Sequence, residues 1–582
     1  MRNPYREANV DPLLSLLSYA ILFGGACTIA VAVYTTLVSY SSLPWWDTWE
    51  YIAAIANGEG PLSPRWLWRQ HNEHRLVIQK LFFAVDLEMF HARQVFLLSS
   101  IIVIQLLHVC LWGWSMRVLG GWRGALWRSG VGLVAFCIFC PSAWLNYTMG
   151  FQVCYILLLL FVTLSFVALL LYWRDSQRHA GRASSRSLWL CILAAVCATF
   201  SLSNGNLLWP LLLAAALLLR LRRPALLTIA IAGAITISLY FYSYVRPSYH
   251  ADPLAALTKP FVVMKFVAVY FGSSWVHDSV AIATVIGGVG LIIAVIVLLR
   301  TLYYVRTSRA FALQIVITVA FLLGTAFVTA AGRLNFGVPM AFQSRYQTFA
   351  LLFWCSLGLL LLNYTSSDDG KDYRVLAQIC VLLIMVRGAV LSSRPIQEAR
   401  AHGFGLNVAI TAVLTGVDEP TLFAQVAEHR DKLLLGINYL REHQLSLFSD
   451  WNAHLLGKPL DKDFGVVAAS ECAGKLEFVI PRNYGSPGLY VAGWAWDRQH
   501  HQPARAILAA SHETVTGLAA VGHLSTTAKA DDRAVNSLYA GFAGYIRQPE
   551  PGSEVKVYAI LNHNPPSICY FGSIDEEFNT IK

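Results

Sequence analysis

Charge is what this chain has least of. Only 13% of its 582 residues are Asp, Glu, Lys or Arg, 56% are hydrophobic, and the mean hydropathy is +0.51. Soluble domains carry roughly 25% charged residues, so an ordinary soluble protein is excluded. Low-complexity segments and internal repeats are absent, and no nucleic-acid-binding motif occurs. The net charge of +10 does not point to nucleic acid, because the arginines sit in short clusters between hydrophobic runs, which is a topology signal. A cleavable signal peptide is not expected either. The first hydrophobic run, Leu13–Tyr40, is too long for a signal core and lacks a small-residue cleavage site, so it reads as a retained helix.

What is present is a series of apolar stretches at about 13–40, 95–116, 129–145, 151–173, 187–203, 207–220, 224–245, 280–299, 310–331, 347–364 and 375–392, about eleven spans. The 187–220 region reads as one hairpin or two short spans turning at Ser203–Asn206. The 18 Trp and 25 Tyr suit a protein with two membrane interfaces. Alternate loops are basic: Arg2 and Arg6; Arg117, Arg123 and Arg128; Arg174, Arg178, Arg182 and Arg186; Arg220, Arg222 and Arg223; Arg300, Arg306 and Arg309; Lys371 and Arg374. The positive-inside rule therefore predicts a cytoplasmic N-terminus and an extracytoplasmic chain after about residue 393.

The outward loops differ in kind. The first, about 41–94, is long and charged, and its stretch Leu76–Phe90 reads as an amphipathic helix along the membrane surface, with Lys80, Asp86 and Glu88 on its polar side. A second, about 246–279, contains Tyr249, His250, Lys259 and Trp275, and a third contains Arg333 and Arg345. The expected domains are a transmembrane domain over 1–394, a mostly helical extracytoplasmic region over 395–465 with a packed surface helix at Glu419–His443, and a β-sandwich of jelly-roll type over 466–582. The strands expected in the last are Lys475–Pro481, Gly488–Asp497, Pro503–Ala510, Ala540–Arg547, Glu554–Leu561 and Ser567–Gly572. All but two of the 11 cysteines fall in hydrophobic runs and read as small packing residues. Cys472 and Cys569 remain, and they are expected to pair as a disulfide if the tail is extracytoplasmic.

Several residues are suited to chemistry. Asp47, in Trp45-Trp46-Asp47-Thr48-Trp49-Glu50 just after the first span, is placed as a general base or as the N-cap of the helix that follows. His71, Glu73, His74 and Arg75, in Gln70–Arg75, are able to bind sugar hydroxyls, clamp a phosphate, share a loosely held divalent cation (Mg or Mn) with that phosphate, or form a solvated loop with an internal salt bridge. Their spacing does not match a zinc helix. Arg333 and Arg345, the latter beside Tyr346, are natural partners of a lipid-linked phosphate, or else they snorkel to headgroups. Gly332 and Gly337 permit tight turns next to Arg333. Asn146, Gln152, Asn204 and Asn206 offer amides on the same side, for sugar binding or helix capping. Trp494 and Trp496, two apart on one strand, are exposed together or buried together. The histidines of the tail, His500, His501, His512 and His523, read as surface residues.

This layout resembles the integral-membrane glycosyltransferases of the type-C fold (GT-C): a cytoplasmic start, a first span, a long outer loop opening with an acidic residue (here Asp47), an interfacial helix, many spans and an extracytoplasmic β-rich C-terminal domain. In place of a paired DxD the chain has Asp47 with Glu50. The resemblance implies a multi-pass α-helical protein of a bacterial cytoplasmic (inner) membrane. It implies a sugar donor linked to polyprenyl phosphate and an acceptor glycan or glycolipid, with membrane lipid and no nucleic acid among its partners. Asp47 would then be the general base on an acceptor hydroxyl that attacks with inversion. Arg345, Arg333 or Arg75 would stabilise the leaving phosphate, and Glu73, His71 and His74 would position sugar or phosphate. An O-antigen-type polymerase or ligase and a lipid-linked glycan transporter stay open as alternatives. A transporter predicts charge at the membrane midplane, whereas these spans are largely free of charge.

Overall fold

The computed structural model describes residues 11–178, 185–247, 253–276, 278–303, 310–364, 371–460, 464–532 and 535–574. Arg2, Arg6, Arg182, Arg306, Arg309, Tyr249 and His250 lie outside them. The chain divides into two compact units, one of Met1–Leu37, Pro64–Phe82 and Leu97–Gln397 and the other of Val38–Ser63, Phe83–Phe96 and Glu398–Lys582.

The first unit is helical. Among the described residues of the whole chain, nine helices are long and apolar enough to cross a membrane: Pro12–Val38, Val95–Gly120, Gly124–Ala143, Gly150–Arg178, Arg223–Phe241, Val280–Thr301, Ala310–Gly332, Ser344–Tyr364 and Tyr373–Thr415. The helix Val280–Tyr303 exposes Ile282, Val285, Val289, Ile292, Ile296 and Leu299 along one side, a surface that only lipid solvates without cost. The chain is a multi-pass membrane protein.

The 187–220 region, read as one hairpin or two short spans, contributes none of these nine. It forms a hairpin of two shorter helices, Ser185–Thr199 and Leu208–Leu218, joined through a 3-10 turn at Ser203–Leu207. At 1.5 Å per residue these reach only about 22 and 16 Å, short of a bilayer core. A further short apolar helix, Pro260–Gly272, replaces much of the loop expected over 246–279 and buries Phe266, Tyr270 and Phe271. It packs against Val280–Tyr303 at two glycines. A Cβ on Gly287 would sit 1.8 Å from the Ala268 carbonyl oxygen, and one on Gly272 equally close to that of Ala283. Small residues here let the backbones approach as membrane helices commonly do.

The helix Val77–Met89 forms where amphipathicity predicts it, but of its three charges only Glu88 is exposed. Lys80 and Asp86 are each only 1% exposed. The Lys80 ammonium donates to the carbonyls of Trp66 at 2.6 Å and Arg69 at 2.6 Å, and Asp86 accepts the backbone N–H groups of Gln94 and Phe96 at 2.9 and 3.0 Å. Both charges close turns, one before and one after the helix, where unsatisfied backbone groups would otherwise be buried. Cys27 and Cys110 are exposed on their helices instead of packed.

In the second unit the stretch read as one helix over Glu419–His443 is two, Pro420–Val426 and Arg430–Glu442. The latter packs on Thr48–Ala56, with Gly436 against the Trp49 ring. The C-terminal part is β1 (Gly465–Val466), β2 (Cys472–Arg482), β3 (Gly488–Asp497), β4 (Gln502–Pro503), β5 (Ala506–Ser511), β6 (Thr514–His523), β7 (Gly541–Arg547), β8 (Val555–Leu561) and β9 (Ser567–Ile574). They form one sheet in the order β1-β9-β8-β5-β6-β7-β3-β2, with β4 on β3, antiparallel except for β1 against β9. The sheet rolls on itself: a disulfide joins Cys472 of β2 to Cys569 of β9, with Cα atoms 6.2 Å apart. Its halves face each other, sandwich fashion, across a core that includes Leu476, Leu489, Val491, Ile507, Phe542, Ile546 and Val557. Trp494 and Trp496 share a face and are buried together, packing with Ala473, Ala528, Val535 and Ala540.

Candidate functional site

The run Gln70–Arg75 folds into a two-residue hairpin turn. His71 and His74 exchange both backbone hydrogen bonds at 2.8 Å, and Asn72 takes the left-handed conformation (φ 48°) that asparagine tolerates. Its outer members anchor it. Gln70 donates to the Val245 carbonyl at 2.6 Å and accepts the Val245 N–H at 3.0 Å. Arg75, 2% exposed, donates to the carbonyls of Tyr240 at 2.5 Å, Trp68 at 2.7 Å and Tyr242, and its guanidinium lies 5.0 Å from the Trp68 ring centroid. Burial lowers its pKa. Arg75 is thus a structural clamp, not a free phosphate ligand. Tyr240 completes the anchor, its hydroxyl donating to the Glu73 carbonyl at 2.9 Å and accepting the Arg75 N–H at 3.3 Å.

The turn presents Glu73 and His74 to a cavity of about 480 Å³ within the first unit. Glu73 Oε1 meets the Arg333 guanidinium at 2.9 Å across 260 residues of sequence, with both side chains less than a fifth exposed. Burial is the largest single influence on Arg333 and opposes its charge, but the Glu73 carboxylate, together with Tyr346 and Tyr155, holds Arg333 above its ordinary pKa. Arg333 follows the last turn of Ala310–Gly332, where a cation also complements the helix dipole. Of the two neighbouring glycines, Gly337 (φ 78°) takes the left-handed turn and Gly332 does not. His74 Nδ1 accepts the Ser203 N–H at 3.3 Å, which assigns the proton of the neutral ring to Nε2, 3.5 Å from Glu73 Oε1.

The Ser203–Leu207 turn brings Asn204 and Asn206 to the same cavity, and Tyr346 enters from the start of Ser344–Tyr364, 5.4 Å from the Tyr270 ring. Six expected residues therefore converge: Glu73, His74, Asn204, Asn206, Arg333 and Tyr346. Tyr155, Tyr240, Tyr244, Tyr270, Arg246, Thr325 and Thr329 line it too and were not anticipated. The tyrosines sit inside or just beyond apolar runs, where they read as core or interface residues. The one signal that singles them out is their recurrence near the polar turns. Burial and then the Glu73 charge push the Tyr244 phenol above its usual pKa. Asn206 Oδ1, Tyr270 Oη and Thr325 Oγ1 are buried yet have no protein hydrogen-bond partner among the described residues. Polar atoms in that condition are suited to a bound polar ligand or water.

Other expected residues are placed elsewhere. Asn146 ties its turn to the start of Ser344–Tyr364, donating to the Arg345 carbonyl at 2.9 Å and to Thr348 at 2.7 Å. Gln152 is buried with its amide 3.4 Å from the Met149 sulfur. His71 packs against Phe151, and the Arg345 guanidinium lies 5.3 Å from the Tyr346 ring centroid. None of Gln152, His71, Arg75 and Arg345 lines the cavity.

Asp47 and Glu50 belong to the second unit. Asp47 stands at the N-cap position of Thr48–Ala56, but its side chain makes no capping hydrogen bond, so capping does not account for it. It borders a small recess with Trp46, Trp49, Glu428, His429 and Lys432. Glu50 pairs with Lys432 at 2.5 Å.

No protein-family model matches this sequence, and no curated protein sequence matches it. Solved structures similar to it include two from one archaeon. The apo oligosaccharyltransferase of Archaeoglobus fulgidus matches with 12% identity and a TM-score of 0.42 over 76% of this chain. Archaeoglobus fulgidus AglB in complex with an inhibitory peptide and a dolichol-phosphate matches with 13% identity and a TM-score of 0.35 over 76% of this chain. In both cases the match takes in 62% of the archaeal chain, less than two thirds of its length.

Proposed function

We propose that this protein is a membrane glycosyltransferase that moves a sugar from a polyprenyl-phosphate donor to an acceptor glycan or glycolipid on the extracytoplasmic side. One observation carries the reading: a single cavity sets a fixed guanidinium, Arg333, beside uncharged amides and a wall of phenols. The guanidinium suits a phosphate through paired hydrogen bonds. Asn204 and Asn206 suit sugar hydroxyls, and the faces of Tyr155, Tyr270 and Tyr346 suit the apolar face of a pyranose ring. Leu207, Phe241, Val328 and Phe349 in the same lining suit the first isoprene units.

In this reading the acceptor oxygen bonds to the anomeric carbon as its hydroxyl proton passes to a carboxylate base, for which the sequence position of Asp47 just after the first span is the argument, and the bond to the donor phosphate breaks with inversion. The leaving phosphate takes the electron pair, and its charge is met by Arg333 without need of a proton. Glu73 and His74 keep the guanidinium in place until donor arrives. The test is to profile surface glycans by mass from cells expressing wild type, Asp47→Asn or Arg333→Met at equal levels. Loss of one sugar in both variants is the expected result. An unchanged glycan in both refutes the transferase reading and moves the polymerase, ligase and transporter readings ahead, whereas an unchanged glycan in Asp47→Asn alone removes Asp47 as the base.

A further inference from the structure

At one end of the rolled sheet two loops meet, the one leaving β3 and the one entering β9. The first carries His500 three residues after Asp497, the last residue of β3, and the second carries His563 four residues before Ser567, the first of β9. One ligand atom from each of Asp497, His500 and His563 lies within 4.8 Å of the others. Asp497 is fully buried, with His500 Nδ1 3.1 Å from its Oδ2. Two ligands of one tetrahedral zinc, each about 2.0–2.1 Å from the metal, stand about 3.3 Å apart. The proton now between Asp497 and His500 therefore occupies a span of the size that a metal would take.

His563 is arranged to supply a third ligand. Its Nδ1 is fixed by the Ser567 hydroxyl at 2.5 Å, which leaves Nε2 as the available nitrogen. That Nε2 is buried and makes no hydrogen bond among the described residues, while the Glu471 carboxylate stands 3.9 Å away and 38% exposed. A buried imidazole nitrogen without a partner is costly unless something completes it. The adjacent positive charge is committed elsewhere, since Arg498 pairs with Asp532 at 2.7 Å. The backbone N–H groups of His500 and Asn562 hold the Asp497 carboxylate in place, each at 3.0 Å, as outer-sphere hydrogen bonds orient ligating carboxylates.

We infer that Asp497, His500 and His563 form a binding site for a divalent metal of the zinc class. Two imidazoles with one carboxylate select such an ion over magnesium or calcium, which take oxygen ligands. The site lies in the sheet, joins its β3 end to its β9 end, and is independent of the transferase reading.

The test uses the full chain in detergent, freed of any histidine tag and stripped with a chelator. It is re-equilibrated with Zn²⁺ and desalted, and bound metal is then counted. Wild type is expected to retain one Zn²⁺ per chain and to melt at a higher temperature with zinc than without. His563→Gln, which keeps bulk beside Ser567, is expected to lose both the metal and the zinc-dependent shift, whereas His512→Gln, in an exposed turn, keeps both. Wild type that retains no zinc, or His500→Gln and His563→Gln variants that retain as much as wild type, overturns the inference. The zinc-dependent shift is measured on each variant as purified, so a fold-damaging substitution shows as a lower melting temperature without zinc, separate from loss of the shift.

Discussion

The pairing of Glu73 with Arg333 makes a prediction whose sign is unusual for a binding site. If Arg333 receives the donor phosphate, Glu73 is its competitor in the empty cavity, and the two anions contend for one guanidinium at 2.9 Å. A hydrogen bond to a charged group contributes about 1.5–3 kcal/mol. Arg333→Met should therefore weaken polyprenyl-phosphate binding by about 10- to 150-fold, at 1.4 kcal/mol per factor of ten. Arg333→Lys keeps the charge but loses the two-pronged geometry and should fall between. Glu73→Gln should instead tighten phosphate binding while lowering stability, because it leaves a mostly buried guanidinium without its counter-charge, a loss of about 3–5 kcal/mol for a fully buried pair and less at this exposure. Binding of a short-chain polyprenyl phosphate to purified protein, alongside thermal melts, reads both effects. The double variant Glu73→Gln/Arg333→Met closes the cycle. Equal phosphate affinity in wild type and Arg333→Met would refute the assignment and leave the pair a structural strut.

Two further outcomes follow from the fold. Gly287→Leu should impair assembly of the helical unit, since the first added carbon already meets the Ala268 carbonyl at 1.8 Å; forcing such helices apart costs at least about 1–3 kcal/mol. A lower yield of monodisperse protein by size-exclusion chromatography checks this, with Gly288→Leu, where a Cβ meets nothing within 4 Å, as the control. Cys472→Ser paired with Cys569→Ser opens a loop closed across 97 residues, which chain entropy values at about 4–5 kcal/mol, so the sheet should lose protease resistance in the variant first.

Much of this was legible in the sequence because it depends on period and composition. Spans, alternating strands and the β2–β9 cysteine pair follow from hydropathy, alternation and elimination. β6 (Thr514–His523) escaped because its alanines and glycines carry little strand signal and its burial is imposed by neighbours. The helix Pro260–Gly272 escaped because it is too short to announce a span. In the site, Glu73 and Arg333 were each legible as charges on one side of the membrane, but their partnership across 260 residues was not. Lys80, Asp86 and Arg75 misled for a common reason: a charge in a polar-looking loop reads as solvated or ligand-binding, whereas all three spend it on backbone groups that the loop would otherwise bury.

The anchoring of the Gln70–Arg75 hairpin bears on how this protein tolerates change. Tyr242 and Val245 hold it through backbone atoms alone, while Tyr240 contributes its hydroxyl as well. Variation should thus be lopsided. Positions 70, 75 and 240 are constrained in identity, whereas 242 and 245 are free to drift so long as the main chain keeps its path. One side of the joint can diverge without moving Glu73, which lets the cavity rim be retuned while its charge stays where it is.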